Sequence, residues 1–128
     1  MQSGVRIWLT LAAVNGLMAV AAGAFGAHGV VDAQVKDWLR TGAQYQLVHA
    51  VAALSCFGLL RLAPGPAAWA ARLLGLGGLV FAGSLYVMAL TGARLLGAAT
   101  PIGGILMLAG WAALIWAALA ARPTAAPE

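Results

Sequence analysis

Residues 43–62, AQYQLVHAVAALSCFGLLRL, decide how this chain is organised. From Leu47 to Leu60 the stretch is apolar except for His49 and Ser55. It matches the roughly 20 residues that a helix needs to cross a bilayer. Three more segments of that kind surround it, at 5–25, 73–91 and 101–121. Unpaired backbone cannot face lipid, so all four are expected to be helices. The expected fold is all-α, an integral membrane four-helix bundle forming one domain over residues 1–128.

Composition points to the same solvent. Of 128 residues, 63% are hydrophobic and only 8% charged, and the mean hydropathy is +0.95. A soluble domain carries roughly a quarter of its residues charged. A formal charge of +4 does not indicate a nucleic-acid partner, because the seven basic residues are scattered singly and form no basic face. They read instead as anchors at the membrane ends. Cys56 is the one cysteine, which excludes an intramolecular disulfide and reads as a small buried hydrophobe.

The segment at 5–25 also invites a signal-peptide reading, since Arg6 precedes its apolar run and Ala19-Val20-Ala21 has the small-x-small form of a cleavage site. Its apolar run exceeds the 7–15 residues of a signal core, which favours a helix that stays. Residues 30–42 are the one soluble-looking stretch. Val31, Val35, Trp38 and Leu39 fall on one helical stripe, with Asp32, Lys36, Asp37 and Arg40 opposite. That pattern predicts a short amphipathic helix lying in the membrane interface and anchored by Trp38. Pro64-Gly65-Pro66 predicts a rigid turn between helices two and three. Thr100-Pro101 predicts a hydroxyl N-cap followed by a first-turn proline. The tail from Pro123 reads as short, polar and loose.

Alternating four helices collects polar residues at one membrane face. His28 ends helix one, Gln44, Tyr45 and His49 begin helix two, and Tyr86 ends helix three. The i,i+4 pair Tyr45 and His49 can point into the bundle together, and an ionisable residue at membrane depth marks a functional site by default. A polar ligand pocket of His28, Gln44, Tyr45, His49 and Tyr86 is therefore expected. Gly23, Gly26 and Gly29 in helix one, with Gly75 and Gly78 in helix three, are read as helix-packing positions, because small residues let membrane helices approach closely. Asn15, Ser55 and Ser84 read as packing contacts, with Asn15 dispensable to the pocket. No metal site and no cofactor are expected. His28 and His49 are the two side chains that a haem would require, but no CxxCH and no third-ligand cluster accompany them.

Four separated motifs carry a family likeness: GAFGAHG (23–29), WLRTGAQYQLVHAVAAL (38–54), FAGSLY (81–86), and TPIGG with GW (100–104 and 110–111). Through them the chain resembles the small bacterial inner-membrane family typified by YgdD and YwdK, a domain of unknown function related to eukaryotic transmembrane protein 256. Gly42 stands where alanine is expected and Ala82 where serine is frequent, and neither change touches His28, Tyr45, Gln46 or His49. The resemblance implies a four-helix inner-membrane protein and supplies no activity.

Two functional classes follow. One is a binding or transport module with a pocket near the non-cytoplasmic face, taking a small polar molecule, a proton or a lipid headgroup. The other is an accessory subunit that packs into a homo-oligomer or larger membrane complex. Membrane lipids are partners in both. No nucleophile–base–orienter triad can be assembled, so no enzymatic class is favoured. A basic count of four (Arg6, Arg61, Arg72, Arg122) against three (Lys36, Arg40, Arg94) places both termini in the cytoplasm.

Overall fold

The computed structural model describes residues 2–122. They form four α-helices: α1 (Gln2–His28), α2 (Ala33–Leu59), α3 (Pro64–Thr91) and α4 (Thr100–Ala120), with a short 3-10 helix, Arg94–Ala98, between α3 and α4. Among the described residues there is no strand. Three helical stretches are long and apolar enough to cross a membrane, at Ser3–His28, Pro64–Thr91 and Arg94–Ala120. The second helix is too polar along its first half to join them on composition alone.

That polar half corrects the expected layout. Residues 33–42 are not a separate helix in the interface. They are the opening turns of α2, which continues without a break into the 43–62 segment as far as Leu59. Asp32 starts the helix by accepting from Val35 N at 2.9 Å, the short polar side chain that a helix N-terminus favours. The predicted stripe mostly meets protein. Leu39 is 2% exposed, its Cβ set against Gly26 of α1, while Arg94 lies 5.8 Å from the Trp38 ring centroid. Val31 stays fully exposed.

Two other boundaries move. Pro64-Gly65-Pro66 is the first turn of α3, capped by Ala63, so the reversal falls on residues 60–62. Proline suits that place because the first helical N–H has no partner to lose. Thr100 does not cap α4. The N-cap is Ala99, and the Thr100 hydroxyl instead lies 2.6 Å from Ser84 Oγ, tying α4 to α3. Gly92 ends α3 at φ +71°, a left-handed conformation that glycine adopts without strain. The tail from Pro123 lies outside the described residues.

The helices alternate in direction, and α3 is their hub. It touches α1, α2 and α4, whereas α1 and α4 lie on opposite sides of the α2–α3 pair and make no contact with each other. The arrangement is open rather than a closed four-helix bundle. Its core is built of small residues, with Ala12, Ala52, Ala53, Cys56, Ala70, Ala71 and Leu74 forming one cluster. In lipid, helix pairing depends on close packing rather than on the hydrophobic effect, so small faces replace large side chains.

The tightest approach is between α3 and α4, at glycines beyond the five picked from the sequence. A Cβ on Gly103 would overlap the Phe81 backbone nitrogen and lie 2.7 Å from its Cα. One on Gly110 would lie 3.0 Å from Leu74 N, and one on Gly77 2.8 Å from Met107 N. Gly23, Gly26, Gly75 and Gly78 do face neighbouring helices, at 3.6, 3.0, 3.5 and 3.5 Å, whereas Gly29 faces only Phe25 of its own helix.

Gly103→Ala must push the two backbones apart, and overpacking of this kind costs about 1–3 kcal/mol. Gly104, with nothing within 4 Å of its Cβ position, should accept alanine with a gain of up to about 1 kcal/mol in helix propensity. Thermal unfolding of the two variants in mild detergent should therefore move in opposite directions.

Candidate functional site

Polar side chains converge at mid-height. Asn15 is the middle residue of α1 and Gln46 the middle residue of α2. They are 1% and 0% exposed, and Gln46 Nε2 donates to Asn15 Oδ1 at 2.8 Å. The Asn15 amide donates in turn to the carbonyls of Leu11 and Gly75, both at 3.1 Å. Tyr86 closes the chain by donating to Gln46 Oε1 at 2.7 Å. Its ring fits against the helix only because Gly42 lacks a side chain, since a Cβ there would lie 2.7 Å from Tyr86 Cε1. Three helices are thus joined by one network whose amide oxygens and nitrogens all find partners.

A second cluster lies on the other side of α2. The His49 Nδ1 sits 2.6 Å from the Tyr45 carbonyl, and Trp111 Nε1 donates to His49 Nε2 at 3.0 Å. The first contact requires a proton on Nδ1 and the second a lone pair on Nε2, so these bonds fix the neutral ring in one tautomer. Tyr45 stacks parallel to His49 with centroids 6.1 Å apart and packs on Phe81 at 4.8 Å. A cavity of about 530 Å³ opens beside these groups, between α2 and α4, with Phe81 of α3 as its floor and Pro101, Gly104 and Leu108 along its α4 wall. His49 is 7% exposed and Tyr45 48%.

The five residues picked from the sequence therefore divide. Tyr45 and His49 share the α2–α4 cavity. Gln44 is exposed and borders only a shallow hollow of about 180 Å³ with Tyr45, Val48 and His49. Tyr86 belongs to the Asn15–Gln46 network. His28 stands exposed at the end of α1, away from both clusters. The contacts Gly23–Ala43 and Gly26–Leu39 set the α1–α2 register and put His28 level with about residue 37. It is then roughly 18 Å from His49 along the helix pair, at 1.5 Å per residue. These are the two side chains that a haem would require, and the fold sets them well apart along the helix pair. The site also sits deeper than expected, because α2 starts ten residues earlier and carries His49 to the level of Gly78, near the middle of α3.

Asn15, Gln46 and Trp111 are the residues that sequence reasoning passed over. The available signal was polarity at the centre of an apolar segment. Asn15 was visible in that way, but its partner Gln46 was assigned to a helix end by the misplaced start of helix two. Among the described residues no group of three or more His, Cys, Asp or Glu side chains is arranged to hold a metal ion.

Gln46→Leu leaves the Asn15 carbonyl oxygen and the Tyr86 hydroxyl without partners, which should cost about 1–3 kcal/mol. Asn15→Ala should destabilise comparably, opposite to its expected dispensability. A double-mutant cycle on the unfolding midpoints should return a coupling of about 0.5–1.5 kcal/mol, the range for hydrogen bonds between membrane helices. Additive losses would mean that the bond contributes nothing.

Comparison with known proteins places the chain. Residues 22–104 match the family described as "Protein of unknown function (DUF423)". A UPF0382 membrane protein of Staphylococcus epidermidis is 39% identical over 122 residues, covering 90% of this chain and 97% of that protein. The UPF0382 inner membrane protein YgdD of Escherichia coli K12 is 39% identical over 118 residues, covering 89% and 90%. A Staphylococcus saprophyticus relative is 37% identical over 114 residues, covering 87% and 95%. No solved structure matches. With the family matched over more than half of its length and its relatives covered almost end to end, the chain belongs to the DUF423, or UPF0382, family of membrane proteins of unknown function.

Proposed function

We propose that this protein is a membrane-embedded binding module whose ligand enters the groove between α2 and α4. The observation that carries this reading is the cavity of about 530 Å³ at Tyr45, His49 and Trp111. The walls are mainly apolar, with Phe81, Ile105, Met107 and Leu108 among them, and the polar groups stand at one edge. Such a surface suits a largely apolar small molecule bearing one hydrogen-bonding group, rather than the small polar molecule, proton or lipid headgroup expected from the polar residues in the sequence. His49, hydrogen-bonded at both ring nitrogens, forms a fixed polar edge of the groove. The groove runs from mid-height toward the start of α4. With both termini cytoplasmic, that is the non-cytoplasmic half.

A second reading is an accessory subunit, and one observation favours it: the Asn15–Gln46–Tyr86 network is closed on itself. A cluster that satisfies its own bonds needs no ligand. Under this reading the exposed apolar faces of α1 and α4, including Leu17, Val20, Trp116 and Leu119, meet other subunits as well as lipid.

The topology we propose has four spans, with α2 crossing alongside the three more apolar helices. Its buried amides are already paired inside the protein, which lowers the cost of their polarity in lipid.

The groove is tested by filling it. Gly104→Trp adds an indole where no atom lies within 4 Å of the Cβ position, so folding should be retained. Native mass spectrometry of protein purified in mild detergent should detect a near-stoichiometric small-molecule adduct that Gly104→Trp removes. An adduct-free wild type that co-purifies with another membrane protein supports the accessory reading. For orientation, a cysteine at exposed Gln34, in a Cys56→Ala background, should react with an impermeant maleimide on intact cells. Reaction only after lysis would reverse the orientation.

A further inference from the structure

The other end of the molecule carries a second cavity, of about 560 Å³, that neither functional reading uses. It lies where the start of α1 meets the end of α2 and the start of α3, and its lining includes Ser3, Val5, Trp8, Phe57, Ala68 and Arg72. Arg72 is its charged wall. The guanidinium lies 5.7 Å from the Trp8 ring centroid and 5.5 Å from that of Trp69, which holds the cation between two indoles. Its Nε is buried and has no hydrogen-bond partner. A buried donor of a charged group left without a partner is costly, and among the described residues the one that carries it is the one charged side chain lining the cavity.

Charge accounting gives the sign of a group that would pair with it. Arg6, Arg61, Arg72 and Arg122 gather at this end, whereas Asp32 and Asp37, the acids among the described residues, lie at the opposite one. The contrast with Arg40 is direct. Arg40 is six residues from the middle of α2 and Arg72 about six from the middle of α3, on opposite sides of mid-height. Each is then about 9 Å from mid-height, inside the boundary of a hydrocarbon core about 30 Å thick. Arg40 has the Asp37 carboxylate at 3.3 Å. Arg72 has no acid among the described residues. A cation below the headgroup boundary is stabilised by a partner or by reaching toward the interface, and two tryptophans restrict that reach.

We propose that this cavity takes the phosphate of an anionic phospholipid, bound by Arg72 between Trp8 and Trp69, with an acyl chain along Val5, Phe57 and Ala68. The walls favour a lipid over a free anion, since they are mostly apolar and an inorganic phosphate would leave them empty. The inference rests on α3 crossing the membrane and is independent of the α2–α4 groove.

The test is native mass spectrometry of the full chain in neutral detergent, titrated with dioleoyl-phosphatidylglycerol. Wild type should hold one such lipid well beyond its retention of dioleoyl-phosphatidylcholine. Arg72→Gln should weaken phosphatidylglycerol binding about tenfold or more, the equivalent of one charge-assisted hydrogen bond. Arg61→Gln, the same charge lost from an exposed site at the same end, should change it less than about twofold, as expected of a solvent-screened charge. Ala68→Phe fills the cavity without altering charge and should weaken binding as Arg72→Gln does, so the proposal stays open to refutation even if Arg72→Gln fails to fold. Equal losses from Arg61→Gln and Arg72→Gln would reduce the effect to diffuse surface charge and overturn it. So would full binding by Ala68→Phe, or equal competition by inorganic phosphate, which would assign the site to a free anion.

Discussion

One hydrogen bond fixes the height at which everything else stands. Gln46 donates to Asn15 where the middle of α2 meets the middle of α1, and Asn15 donates on to the Gly75 carbonyl of α3. An amide at the centre of an apolar helix has no water to turn to, so sliding α1 against α2 by a turn would strand two buried polar side chains. Hydrophobic matching between helices cannot supply such a register, because lipid tails are as apolar as the residues they would replace. The amide pair therefore acts as a pin. Around it the small faces fall into step, with Gly23 on Ala43, Gly26 on Leu39 and Gly78 on His49.

The pin joins α1, α2 and α3 but leaves α4 to be held by other means. There the contact is backbone against backbone, through Gly77, Gly103 and Gly110, with the Ser84–Thr100 hydroxyl pair at one end and Trp111–His49 at mid-height. This division explains the open arrangement. A helix drawn onto α3 through glycine cannot also reach α1 on the far side of α2, and the angle it leaves against α2 is the groove. His49 is then where polar and apolar constructions meet, with its ring satisfied by α2 and α4 and its side turned to the cavity.

Much of this was legible from the chain, and the failures share one cause. Composition and apolar run length were sufficient for helices and for membrane, because they depend on sums over many residues, and the family likeness came from four separated motifs. Tyr45 and His49 were found as a pair because i,i+4 neighbours share a face under any register. The register itself was not legible. Treating residues 30–42 as an interfacial helix moved the start of helix two to residue 43, which raised His49 toward a membrane face, drew His28 into its company and concealed Gln46 as a mid-helix residue. The amphipathic stripe was real, but a stripe cannot say whether lipid or a neighbouring helix covers it, and here Gly26 receives Leu39. Similarly, Gly103 and Gly110 stood within the family motifs but were not marked as contact positions, since what makes them so is the nearness of Phe81 and Leu74.

The polarity of α2 takes on a different meaning from this register. Its first half is too polar to pass as a span by composition, yet the polar side chains do not share one role. Lys36, Asp37 and Arg40 lie in the first turns of α2, where they are exposed and Arg40 pairs with Asp37. Gln46 and His49 lie in the middle, three residues apart and aimed at different neighbours, one toward α1 and Tyr86 and the other toward α4. A helix with polar groups on two sides cannot sit at the edge of the assembly facing lipid. It must be flanked, and α1 and α4 do that from either side. The order of the helices in space is thus a consequence of where α2 places two side chains. The same constraint leaves the outer faces of α1 and α4 free to be mostly apolar, through their exposed leucines, isoleucines and valines.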